Sequence, residues 1–318
     1  MRIGINGSSL IALGRPASEI VEHAQTAETD GFHTYWVAQL AVPDALTVLA
    51  LAGHATSTIE LGTAVIATWL RHPLMLAAQA LTVSDIARGR LILGIGLAHK
   101  HTIESSLKIP FDRPAKNMDQ YLAVLLPALQ DRKVAVDGEI WSGHADALGG
   151  PPDVPTPSVM LAAMGPRMVA MSAARADGNI LWLSGPRTIE TVLAPAMAKA
   201  AADAGRPPAR IVASVPVCVT DRPDGVRGMI TAVLTHYNDL PSYRGVMDIE
   251  GVDGPADVSI VGDEATVRAG IARFADAGTT DFSALEFTLD PGDQRRTRDL
   301  LKDLANEDVH RTPQGVGP

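Results

Sequence analysis

Leu61-Gly-Thr-Ala-Val-Ile-Ala-Thr-Trp-Leu-Arg-His-Pro73, followed by Gly89-Arg-Leu-Ile-Leu-Gly-Ile-Gly-Leu-Ala-His99, decides how this chain folds. Ile59–Ile66 is short, apolar and β-branched, the pattern of a strand covered on both faces. Arg90–Gly96 has the same character and ends in glycine. Between them Pro73 opens a helix to about Ala87, a favoured first-turn position, and Gly89 closes it. Two buried parallel strands therefore bracket one helix. Gly94 and Gly96 either bare the backbone beneath whatever sits above the strand end, or let a neighbouring helix pack close.

Working outward, the same unit repeats. Strands are expected at Arg2–Asn6, His33–Ala38, Val159–Ala163, Asn179–Leu183, Ile211–Val219 and Phe282–Phe287. Helices are expected at Pro16–Asp30, Pro43–Ala55, Pro166–Ala176, Pro186–Ala204, Val226–Tyr237, Asp263–Ala277 and Gln294–Leu304. In Pro16–Asp30, Ile20, Ala24 and Ala27 share one face, as an amphipathic helix requires. One region breaks the rhythm. It holds a long polar loop (Ala98–Ala115), a helix from about Asn117 to Asp131, a hairpin Val134–Trp141 turning at Asp137-Gly138, and a Gly/Pro-rich loop Gly143–Pro157. Pro241–Asp257 reads as irregular, and 309–318 as a disordered tail.

Eight strands alternating with helices specify an α/β fold, a (β/α)8 TIM barrel with an insertion at about 98–157, in one domain covering 1–308. A doubly wound open sheet is the weaker alternative, because no Gly-x-Gly-x-x-Gly turn follows the first strand. In a barrel the site lies at the C-terminal strand ends.

The apolar fraction is 46%, enough for a substantial core, while aromatics are only 4%. The net charge of −9 and the lack of a basic stripe argue against nucleic acid as a partner. The single cysteine, Cys218, sits in the apolar run Ile211–Val219 and reads as a core thiol rather than a nucleophile. The absence of a signal or a long apolar run leads to the expectation of a cytoplasmic protein with no membrane partner. None of the six lysines lies inside an expected strand, which disfavours a Schiff-base aldolase.

Six segments, in order and spacing, resemble the bacterial-luciferase-like monooxygenase superfamily, and within it the deazaflavin (coenzyme F420)-dependent oxidoreductases. They are Arg2-Ile-Gly-Ile5, Gly31-Phe-His-Thr-Tyr-Trp-Val37, Gly62-Thr-Ala-Val65 with Arg71-His-Pro73, and Gly89–Gly96. The others are Ala162-Ala-Met-Gly-Pro-Arg167 with Ala176-Asp-Gly178, and Gly262-Asp-Glu264 with Ala277-Gly278. The resemblance covers about 1–305. It implies a tricyclic ring across the barrel mouth, backed by a third-strand bulge with a non-proline cis peptide at Ala64–Val65. It also implies a small-molecule substrate and a homodimer.

The cofactor-binding candidates are Asn6, Gln39, Ala64, Val65, Gly96, Leu97, Ala163, Met164, Gly165 and Arg167. Met164-Gly165-Pro166-Arg167 fits a phosphate site, since bare backbone at a helix start offers N–H groups and the helix dipole to an anion. Lys100, His101 and Arg167 are candidate partners for the anionic tail that the resemblance implies. His99 is the candidate proton donor, because imidazole titrates near neutral pH. His99-Lys-His101 has no carboxylate cluster to complete a metal set, so no metal is expected. Gln39 departs from the acidic pair common among such relatives. It is assigned to hydrogen bonding of the ring, which leaves the sugar-phosphate dehydrogenase activity of some of them unsupported. Trp69 and His72 are candidate pocket walls for substrate. The resemblance thus implies hydride transfer between F420 and a small, largely apolar molecule with an activated C=C or C=O bond. An FMN-dependent monooxygenase and a non-catalytic cofactor-binding barrel are the alternatives.

Overall fold

The computed structural model describes residues 1–40 and 42–311. Eight strands form its frame: β1 (Arg2–Asn6), β2 (Thr34–Val37), β3 (Glu60–Thr63), β4 (Leu91–Gly96), β5 (Ser158–Ala162), β6 (Gly178–Trp182), β7 (Arg210–Val219) and β8 (Asp281–Glu286). Each pairs in parallel with the next, and β8 returns to β1 with Arg2 opposite Asp281 and Ile5 opposite Ala284. That closure makes the sheet a TIM barrel and excludes the open, doubly wound alternative.

The main helices are α1 (Ala17–Thr29), α2 (Ala45–Ala55), α3 (Pro73–Ile86), α4 (Pro114–Gln130), α5 (Pro166–Ala174) and α6 (Ala194–Asp203). After them come α7 (Pro223–Leu234), α8 (Pro241–Glu250), α9 (Glu264–Asp276) and α10 (Pro291–Arg311). Local chemistry sets their starts. Asp44 accepts from Thr47 N at 2.9 Å before α2, and Asp263 accepts from Thr266 N at 2.8 Å before α9. The outward strand faces and the helices share one large core. Inside the barrel Trp36, Ile92, Met160, Ile180 and Val212 form a second, separate cluster. Trp36 is fully buried, and Gly62 is bare because the indole lies against it. Beneath this layer the first residues of four strands, Arg2, Glu60, Arg210 and Asp281, form an ion cluster. Burial pushes the Asp281 carboxyl up, but Arg210 and Arg2 outweigh it and hold it below the usual range.

Four expectations are corrected. The third strand is not continuous: it stops at Thr63, and Ile66–Ala67 resumes beside β4, Ile66 opposite Ile95. Pro241–Asp257 is largely helical (α8, then Pro255–Val258), and Ile260–Gly262 adds a short strand to the upper half of β7. Val246 and Met247 supply the buried face of α8, too short a pattern to stand out against the polar residues around it. The hairpin pairs Val134–Val136 with Gly143–Ala145, so its connection is six residues long rather than two; Ser142 bonds both the N–H and the carbonyl of Gly138. Finally, α10 continues through Arg311, and the rest of the expected tail, 312–318, lies outside the described residues.

Candidate active site

Strand alternation carries the inner face upward from Ile180 to Trp182, from Met160 to Ala162, from Gly94 to Gly96 and from Val212 to Ser214. The mouth of the barrel is thus floored by Ala64, Val65, Gly96 and Ala162 on one side and by Trp182, Ser214 and Asn6 on the other. The Ala64–Val65 peptide is cis. A Cβ at Gly96 would meet Val65 Cγ2 at 2.7 Å and Ala162 Cβ at 3.3 Å, and one at Gly94 would meet Thr63 O and Ile180. Both glycines therefore admit neighbouring strands of the barrel itself rather than the helix that the sequence reading offered as the alternative. Leu97 is half-buried immediately beyond.

Asn6 ties strands together. Its Nδ2 donates to Ser214 Oγ at 3.1 Å, and its Oδ1 accepts from Ser8 N at 3.0 Å; Ser214 Oγ donates to Ser283 O at 2.7 Å. Gln39 Oε1 accepts from Ala45 N at 2.9 Å, so its carbonyl fixes the start of α2. His72 caps α3: Nδ1 accepts from Leu74 N at 3.3 Å, Nε2 lies 3.0 Å from Ser142 O, and the ring meets Trp141 edge-on. With both nitrogens engaged, it straps α3 to the insertion. Trp69 stacks at a tilt on Phe111, centroids 5.2 Å apart, and its buried indole N–H has no hydrogen-bond partner.

The ends of β5 and β6 contrast. After β5, the Asn179 side chain accepts from Ala163 N and donates to Ala163 O, both at 2.9 Å, which fixes the exit angle. Gly165 then caps α5 with extended backbone (φ −75°, ψ 147°) and no side-chain hydrogen bond, and a Cβ there would meet nothing within 4 Å. No side chain among the described residues caps the start of α5, and the space beside Gly165 is open. Arg167 is exposed, with no ion pair among the described residues. After β6, Leu183 adopts a left-handed φ of +55°, an uncommon state for a branched residue, and Ser184 Oγ is buried without a partner. The next helix start is already filled: the Glu250 carboxylate accepts from Arg187 N at 3.2 Å, Thr188 N at 2.8 Å and Thr188 Oγ1 at 3.0 Å. Of the two helix starts, only that of α5 is open to an external anion.

His99 lies three residues past β4, after Ala98 at a left-handed φ of +56°. Its ring packs on Tyr237 (6.0 Å) and Tyr243 (5.8 Å), and these two rings meet each other at 4.6 Å. Trp182 completes the group, its ring 6.4 Å from that of Tyr237. Burial, and then the nearby His236, lower the His99 pKa below its ordinary value; burial raises the Tyr237 phenol. Lys100 and His101 turn to their own helical turn, toward Glu104 at 3.9 Å and Ser105 at 3.2 Å.

Sequence reasoning missed Trp182, Tyr237, Tyr243 and Glu250. Trp182 was within reach, two residues beyond an inward-facing Ile180. The tyrosines lie in segments whose pattern is short, and only folding brings them to His99. Among the described residues no three His, Cys, Asp or Glu side chains gather as a metal set, and no helix is long and apolar enough to cross a membrane.

A luciferase-like monooxygenase family model matches residues 3–281. A 5,10-methylenetetrahydromethanopterin reductase of Methanolobus tindarius is 28% identical over 253 residues, covering 78% of this chain and 75% of that protein. Among solved structures, the coenzyme F420-dependent tetrahydromethanopterin reductase of Methanopyrus kandleri superposes with a TM-score of 0.78 at 21% identity, covering 96% and 99% of the two chains. The oxygenating constituent of 3,6-diketocamphane monooxygenase of Pseudomonas putida, in complex with FMN, superposes with a TM-score of 0.75 at 17% identity, covering 95% and 96%. At these identities the two structures share the fold.

Proposed function

The chain belongs to the luciferase-like monooxygenase family, and from that premise we propose that it is an F420-dependent oxidoreductase acting on a small, largely apolar substrate with an activated C=C or C=O bond. The observation that carries this reading is the bare N-terminus of α5: an uncapped helix start, open space above Gly165, and the unpaired cation of Arg167 beside it. A phosphodiester fits that cradle through backbone N–H groups and the helix dipole. The orphaned Ser184 hydroxyl supplies a further polar contact at the next strand end. Relatives and fold neighbours described as reductases, one of them F420-dependent, support the cofactor, while an FMN-bound neighbour of the same fold keeps flavin as the competitor.

When bound, the deazaflavin supplies hydride chemistry at its ring. The protein supplies position. Ala64, Val65, Gly96 and Ala162 offer a floor without bulky side chains, on which a flat ring can lie. Asn6, locked to Ser214 and Ser8, holds β1 and β7 at a fixed separation. The aromatic wall limits water on one side. His99 exchanges the proton: with its pKa lowered it is chiefly neutral at pH 7, ready to accept a proton from a hydroxyl when substrate is oxidised. In the reducing direction the same imidazole returns that proton.

Titration of the purified protein with F420 and FMN side by side, at two salt concentrations, tests the reading. F420 is expected to bind at least tenfold more tightly, with affinity falling as salt screens the exposed cation. Equal or tighter FMN binding would overturn F420 dependence in favour of a flavin monooxygenase.

A further inference from the structure

His99, Trp182, His236, Tyr237 and Tyr243 bring five aromatic rings from three separate stretches to one side of the mouth, in a chain with 4% Phe, Trp and Tyr. Their state differs from that of the core aromatics. Tyr35, Trp36, Tyr121, Phe274 and Phe282 are fully buried, whereas His99, Trp182, Tyr237 and Tyr243 are half-buried and His236 is exposed. The contacts among them are edge-to-face or tilted: His99 on Tyr237 at 80°, Trp182 on Tyr237 at 65°, Tyr243 on Tyr237 at 64°. His236 lies nearer to parallel on Tyr237, 36° at 4.3 Å, so one face of Tyr237 is taken, whereas among the described rings Trp182 meets only Tyr237, at 65°. The His99 ring makes no hydrogen bond among the described residues, its backbone carbonyl alone accepting from Ile103 N, so a polar edge is available within the same wall. Next to it, the ends of β3, β4 and β5 carry only Ala64, Gly96 and Ala162.

We propose that this wall is the substrate subsite and that it takes a planar, conjugated ring molecule, stacked against the Trp182 ring that Tyr237 buttresses, with its oxygen at His99. The proposal rests on the reading of the mouth as a redox site, and it narrows the substrate class from apolar to flat. The physical reason is that a conjugated ring presents a quadrupolar face complementary to these side chains, whereas a saturated ring of the same skeleton offers only area. A small floor beside a wall of aromatic faces forms a slot for a flat molecule, with few but placed polar groups, as ligand sites are built.

The test uses 2-naphthol and decahydro-2-naphthol, which share a ten-carbon skeleton and one hydroxyl and differ in flatness. Equilibrium dialysis of each against the full-length, cofactor-free protein is expected to show 2-naphthol binding at least fivefold more tightly. Tyr237→Ala and Trp182→Ala should each weaken 2-naphthol about three- to tenfold and leave decahydro-2-naphthol within twofold, while Tyr237→Phe should retain the preference. Tyr237 lies on a short surface turn, so its variants carry the test if Trp182→Ala does not fold. No preference for the flat probe, or an equal loss of both probes in Tyr237→Ala, would overturn the proposal. F420 and FMN titrations on the same preparations separate the two readings. If neither cofactor binds while the ring-dependent preference persists, the cofactor assignment fails and the subsite stands. If F420 binds and the probes are not distinguished, the subsite fails alone.

Discussion

His99 sits between two phenols and a second imidazole, and that company sets its charge. Burial removes water from the ring and His236 adds a like charge when protonated, so the neutral form persists to lower pH than in an exposed histidine. If His99 exchanges the reaction's proton, His99→Ala should lower turnover about 10²–10⁴-fold, the usual scale for general acid–base help. Cofactor affinity should fall much less, because the anion cradle at α5 lies on another strand end. In the oxidising direction the rate should rise with pH and level off below the ordinary histidine value, and the variant should lose that limb. Single-turnover hydride transfer is expected to suffer less than steady-state turnover if the proton moves in a separate step. A variant with normal turnover and an unchanged pH profile would place His99 outside the chemistry.

Two strand ends, alike in sequence, separate at the level of the element. Gly165-Pro166 and Gly185-Pro186 both lead from a strand into a helix, yet the second helix start is capped by Glu250 and the first by nothing. Gly165 already holds the extended backbone that a β-branched residue prefers, and no atom of the protein stands where its Cβ would be. Gly165→Val should therefore leave the melting temperature and circular dichroism of the apo protein nearly unchanged while abolishing F420 binding, because the added methyls occupy the space assigned to phosphate. Retained binding would move the phosphate to another part of the mouth. The contrast also shows why glycine is a poor marker by itself. Gly94 and Gly96 serve contacts inside the barrel, Gly185 makes room for the Glu250 carboxylate, and Gly165 alone of these opens onto space.

At the scale of the molecule, the closing seam of the barrel is held by charge as well as by the ladder. On the outside of that seam, α1 and α10 meet over β2 and β8 through a buried polar group. Arg298 donates to His23 Nε2 at 2.5 Å and pairs with Glu286, and Arg298 and Lys302 reach Asp30 at 3.5 and 2.9 Å. With Nε2 accepting, the Nδ1–H of His23 faces Tyr35 Oη at 3.0 Å, and the phenol in turn donates to Ile20 O. Burial and then Arg298 lower the His23 pKa to about 4. The sign of the linkage follows: between pH 6.5 and about 4 the unfolded chain binds a proton that the native state refuses, so native stability falls as pH falls through that window. The full loss is bounded at about 3 kcal/mol. The melting temperature of the wild type should drop more steeply between pH 6.5 and 4 than that of His23→Gln, and parallel curves would exclude His23 as the cause.

The chain's own pattern determined the class of fold and the side of the molecule on which to look. Apolar β-branched runs separated by helices, several of them started by proline, are local signals; each run follows from covering a strand on both faces, and eight such runs permit a closed barrel. The helix start at Gly165 was legible for the same reason, since it depends on neighbours in sequence, while the cis peptide at Ala64–Val65 was implied by the family resemblance. What only the tertiary structure decided is who meets whom. Asn6 and Gln39, read as ligands for a ring, have their amides engaged in holding strand and helix ends. His72 became a helix cap because the insertion folds back onto it. The rings of Tyr237 and Tyr243 reach His99, and Trp182 reaches Tyr237, only because barrel closure brings the end of β6 and the segment after α7 over the end of β4. Such contacts join residues more than fifty apart in the chain, and no periodicity encodes them. Local sequence fixes backbone conformation, whereas a site assembled from several strand ends exists only once the barrel is closed.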